Sequence, residues 1–96
     1  MTARDVESAL LARCSDVAQG RHPLAQDQRE ANVFRLAAMV VQSRFPKESS
    51  FLMSASDGYF ATHPRERLHP VEVVRNGWVI SLPRLRDMLS HLLDMR

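Results

Sequence analysis

Val71-Glu72-Val73-Val74-Arg75-Asn76-Gly77-Trp78-Val79-Ile80-Ser81 is the stretch whose reading decides the fold class. Two apolar runs rich in β-branched residues flank Asn76-Gly77. Asn-Gly is the favoured sequence for a type I′ hairpin turn, because both central residues need positive φ. With that turn, Arg75 stands opposite Trp78, Val74 opposite Val79, Val73 opposite Ile80 and Glu72 opposite Ser81. Alternation along each strand then gives Val71, Val73, Ile80 and Leu82 to the core face, with Arg75 and Trp78 at its tip.

Upstream, the pattern predicts a second hairpin. Phe51, Met53 and Ala55 alternate with Leu52 and Ser54, Ser56-Asp57-Gly58 is a turn signal, and Tyr59-Phe60-Ala61-Thr62 follows. A two-residue turn at Asp57-Gly58 pairs Ala55 with Phe60 and Met53 with Thr62. Phe51, Met53, Ala55 and Phe60 then share one face and Tyr59 takes the other. Lys47-Glu48-Ser49-Ser50 reads as a polar connector. His63-Pro64-Arg65-Glu66-Arg67-Leu68-His69-Pro70 reads as a charged loop, anchored to the core by Leu68.

Helical periodicity governs the rest. Gln26 to Arg44 is apolar on nearly every side: Val33, Phe34, Ala37, Ala38, Val40 and Val41 cover more than half of a helical circumference. Gln28, Asn32, Arg35 and Gln42 leave a narrow polar strip, so this helix belongs at the centre of the core. Asp27 with Glu30 matches a capping box, and Pro46 stops the helix near Arg44 or Phe45. Thr2 to Ala18 reads as an amphipathic helix with Val6, Ala9, Leu10, Cys14, Val17 and Ala18 inward. Gly20 terminates it and Arg21-His22-Pro23 turns the chain. A last helix starts at Ser81 or Leu82 with Pro83 in its first turn. Leu85, Met88, Leu89, Leu92 and Leu93 are its apolar side, and Met95-Arg96 frays.

The expected fold is therefore α+β, in the order α-α-β-β-β-β-α: a small antiparallel sheet of two hairpins against the central helix. Residues 1–96 make one domain, long enough to bury roughly two thirds of its unfolded surface. The composition, 45% hydrophobic and 25% charged, is that of a globular protein. The longest apolar run, Leu36 to Val41, is far short of the ~18 residues of a membrane span. The start of the chain carries no apolar leader, and a lone cysteine, Cys14, suits a reducing compartment, so we expect a cytoplasmic protein.

Charge argues against nucleic acid as partner. The net charge is +2 although the pI is about 9.3. Basic and acidic residues are interleaved, as in Arg65-Glu66-Arg67, where a nucleic-acid binder gathers basic charge into a stripe. A winged-helix alternative would make Asn76-Gly77 the wing, but it needs a basic recognition helix between Phe51 and Pro70 that the pattern does not supply. His63 and His69 are not at a recognised metal spacing and have no Cys beside them, so neither metal nor other cofactor is expected. No Gly-flanked serine elbow or phosphate loop accompanies Ser54, Ser56 and Asp57, so we do not expect an enzyme.

What remains is a non-enzymatic protein–protein interaction or regulatory module, with an unidentified protein or a second copy as partner. Its candidate contacts are Arg75 and Trp78 at the hairpin tip, and His63, Arg65, Arg67 and His69 in the charged loop. The last helix, with more apolar surface than one small core can cover, and an open edge of the sheet are the other candidate contacts. Against the first pair stands a plainer role: Trp78 closes the end of the core beneath the last helix. Cys14 is read likewise as a small buried core residue.

Overall fold

Where the sequence suggests strands, the chain is helical or, from Trp78 to Ser81, irregular. The computed structural model describes residues 3–21 and 24–95. The expectations placed on Thr2, on the side chains of Arg4 and Val6, on His22-Pro23 and on Arg96 lie outside the described residues. Five α-helices follow one another: α1 Ala3–Ala18, α2 Gln28–Val41, α3 Pro46–Thr62, α4 Pro70–Arg75 and α5 Leu82–Asp94, with a 3-10 turn at Pro64–Glu66. Among the described residues there is no strand. The α+β expectation is overturned, and both hairpins with it.

The reasons are local. Asn76 has φ −73°, so the positive φ that a type I′ turn demands at its first central residue is missing. Only Gly77 is left-handed, at φ +78°. It sits just past α4, where its N–H donates to the Val74 carbonyl, and so Asn76-Gly77 ends a helix instead of turning a hairpin. The start of α4 is equally well marked. Pro70 occupies the first turn, and Nδ1 of His69 accepts from the Val71 N–H at 3.2 Å. Of the residues assigned to the sheet's core face, Val73 is buried, but Val71 and Ile80 are 54% and 60% exposed.

The supposed first hairpin is the second half of α3. Pro46 both stops α2 and opens α3, so Lys47-Glu48-Ser49-Ser50 is a first turn and not a connector. The buried positions Glu48, Ser49, Leu52, Ala55, Ser56 and Phe60 recur at helical spacing. Two serines and a glutamate in that stripe hide its period from a reading by apolarity alone. Asp57-Gly58 lies inside the helix.

The serines seat α3 on α2. Ser49 Oγ donates to the Ala38 carbonyl at 2.6 Å, and Ser56 Oγ to the Ala31 carbonyl at 2.8 Å. Ser49 and Ser56 are seven residues apart, as are Ala31 and Ala38, and the order reverses. The two helices are therefore antiparallel and in fixed register. Small side chains at these four positions let the backbones approach closely enough for hydroxyl-to-carbonyl bonds.

The expected central helix is confirmed. α2 packs on α1, α3, α4 and α5, and Ala31, Val33, Phe34, Leu36, Ala37, Ala38 and Val41 are buried. Asp27 caps it by accepting from the Glu30 N–H at 2.8 Å. The Glu30 carboxylate reaches back to the Gln26 N–H instead of completing the box at Asp27. Asn32, expected on the polar strip, is buried. It donates to the Gln28 and Glu66 carbonyls and accepts from the Leu68 N–H at 2.9 Å. Those bonds tie the charged loop to the core, and Leu68 packs there as expected.

α1 ends as the sequence indicates. Gly20 is left-handed at φ +81°, with Gly20 N–H bonded to Val17 and Arg21 N–H to Asp16. Its inward stripe is rotated from the expected one: Leu11 is buried and Ala9 exposed. α5 follows its reading, capped by Ser81 Oγ accepting from the Arg84 N–H, with Leu85, Leu89 and Leu93 buried.

Candidate functional site

The residues nominated from sequence form no common site. Arg75 is exposed at the end of α4. Trp78 is half-buried and packs on the core, lining a narrow cleft with Leu10, Leu11, Val33 and Leu85. The packing that the plainer reading gives Trp78 is present. Among the described residues, arginines lie over rings at Arg13–Phe34, Arg44–Phe45 and Arg67–Phe60, and Arg75–Trp78 is not one of these pairs.

The charged loop is held by its own contacts. His63 stacks on Tyr59 with ring centroids 4.3 Å apart. Tyr59 OH donates to Glu66 Oε1 at 2.6 Å. That bond to the carboxylate, helped by burial and the negative charge of Glu66, pushes the phenol up to about 12. Arg67 lies 5.0 Å from the Phe60 ring, while Arg65 and His69 are exposed. Among the described residues, the hydrogen bonds of His63 and His69 and the ring contact of Arg67 go to partners other than Arg75 and Trp78. No group of three or more His, Cys, Asp or Glu among the described residues is placed to hold a metal.

Charge inside the fold is paired. Arg13 makes two bonds of 3.0 Å to the two oxygens of Glu30 and lies over Phe34. Burial works to raise the Glu30 pKa, but the Arg13 hydrogen bond, the Gln26 N–H and the charges of Arg13 and Arg29 outweigh it, and the net direction is down. Burial pushes the Cys14 thiol up to about 12, so it is the inert core residue the sequence suggested.

The feature that reads as a binding surface lies between α1 and α5. α5 carries two apolar stripes. Leu85, Leu89 and Leu93 go into the core, while Met88 and Leu92 stay half-buried along its flank. Across from them α1 presents Ser8, Leu11 and Ala12. Ser8 and Ala12 are too small to meet Met88 and Leu92, and an open groove of about 410 Å³ is left. Asp87 and His91 stand at its rim, and they also line a second groove of about 430 Å³ with Val40, Ser43, Arg44, Arg86, Ser90 and Asp94. Exposed ion pairs flank both sides: Glu7–Arg84 at 3.1 Å to α1 and Arg44–Asp94 at 2.6 Å to the turn after α2.

Ser8, His91 and Asp87 line one groove, and no hydrogen bond among the described residues joins one of them to another. The groove has an apolar floor and a polar rim. Sequence reasoning found the α5 wall through its surplus of apolar residues. It missed the α1 wall, because Ser8 and Ala12 signal only through what they fail to fill. No helix of the described residues is long and apolar enough to cross a membrane. Comparisons with protein-family models, curated proteins and solved structures found no match to this chain.

Proposed function

We propose that this chain is a non-enzymatic protein–protein interaction module, working in the cytoplasm, whose contact surface is the α1–α5 face. The observation that carries the reading is the half-covered stripe of Met88 and Leu92 beside Ser8 and Ala12. Half-buried Met and Leu side by side gain by further burial, at about 25 cal/mol per Å² of apolar surface. Methionine also adapts its shape to a partner.

The test is site-specific photocrosslinking in the native cell. A crosslinker at Ala12 or His91 should capture one discrete product, and one at Ser54, exposed on α3, should not. No product from the α1–α5 face, or equal products from both faces, would refute the reading.

A further inference from the structure

We infer that the occupant of the α1–α5 face is a second copy of this chain, with α5 lying antiparallel to α5 of that copy. The inference rests on the interaction-module reading and names its partner.

The argument is self-complementarity of charge. Along the exposed side of α5, Arg84 stands near the N-terminal end, Asp94 at the C-terminal end, and Asp87 and His91 at equal distances either side of the level of Leu89. A two-fold axis at that level brings Arg84 of one copy to Asp94 of the other, and Asp87 to His91. Each carboxylate then meets a basic group. A parallel arrangement would set like on like, and antiparallel helices also oppose their dipoles. Met88 and Leu92 lie along the same span and cover one another's grooves.

The present partners of Arg84, Asp87 and Asp94 do not prevent this. Arg84–Glu7, Arg86–Asp87 and Arg44–Asp94 are exposed pairs, with side chains 24% to 71% accessible, and such pairs hold weakly and share their partners readily. Scale agrees as well. Thirteen residues of helix span about 20 Å, and two neighbouring helix axes lie roughly 8–10 Å apart. The face is thus about 20 Å square, roughly 400 Å² in projection, which places it with small, transient interfaces below the standard ~600 Å² per partner. A weak, reversible dimer is therefore expected, populated as concentration rises.

Sedimentation velocity across a concentration series tests it. The wild-type chain should pass from monomer to dimer as concentration rises, and Leu92→Glu should remain monomeric throughout. Asp87→Lys should weaken the dimer roughly tenfold, and Asp87→Lys with His91→Glu should restore it, because the exchanged charges meet again across the axis. Wild-type monomer at every concentration, a Leu92→Glu dimer of unchanged strength, or a double variant no better than the single one would each overturn the inference. If circular dichroism shows Leu92→Glu unfolded, the surface pair at 87 and 91 decides alone. A monomeric wild type whose Ala12 crosslinker still captures a different protein would remove the second copy and leave the interaction reading intact.

Discussion

The α2–α3 seam and the α1–α5 face are both contacts between two helices of similar length, and both use small residues. In the seam, Ala31 and Ala38 meet Ser49 and Ser56, and each hydroxyl donates to a carbonyl of the facing helix. On the other face, Ser8 and Ala12 stand beside Met88 and Leu92, and a groove remains. Small against small lets two backbones close up until polar groups bond across the gap. Small beside large, with the large residues turned along the flank, leaves a depression. The difference shows that small side chains seal a contact only when their opposites are small too.

Matched substitutions can break that comparison. The largest effect is expected from the leucines. Leu52 in the seam is 0% exposed, and Leu52→Ala should cost roughly 2–5 kcal/mol. Leu92→Ala, half-buried on the open face, should cost about 1 kcal/mol. Urea denaturation of both variants measures the gap, and equal losses would show that the groove is as tightly packed as the seam.

The serines give the next largest difference. Ser56→Leu forces three extra carbons between α2 and α3 and should destabilise by roughly 1–3 kcal/mol. Ser8→Leu should fill the groove at no loss, or with a gain of a few tenths of a kcal/mol, read as about 1–2 °C in Tm. A Ser8→Leu penalty as large as that of Ser56→Leu would mean that the groove closes in solution.

Acid supplies the smallest effect. The folded-state pKa of Glu30 is depressed, so its contribution is full above the unfolded value of about 4.3 and is lost as pH falls through the folded value. Wild-type Tm should fall between about pH 5 and pH 3, and Glu30→Gln should flatten that part of the profile by a few degrees. Parallel wild-type and variant profiles would show that the Arg13–Glu30 pair contributes nothing.

The sequence displayed some of this plainly and hid the rest for physical reasons. α1, α2 and α5 announced themselves because their buried stripes are apolar, with their caps at Asp27 and Ser81 and the stop at Gly20 on view. α3 did not, because Glu48, Ser49 and Ser56 occupy buried positions, and a buried serine bonded to a carbonyl looks like a surface residue in one dimension. α4 carries three valines, which favour strands when nothing else decides. Its markers were His69-Pro70 before it and Gly77 after it, and these outweigh the Asn-Gly turn preference. Of the site, the excess on α5 was visible and the hollow on α1 was not. Arg75 and Trp78 were nominated through a cross-strand pairing that vanishes with the strands.

The paired serines also act as a two-pin lock on the sliding of α3. Moved one helical turn in one direction, Ser56 comes level with Phe34 or Arg35. Moved one turn in the other, Ser49 comes level with the same two residues. A bulky ring or guanidinium stem then stands where an alanine stood, and both hydroxyls lose their carbonyls together. Neighbouring registers are thus opposed by sterics, and the two native hydroxyl-to-carbonyl bonds mark the one alignment in which small faces small at both ends.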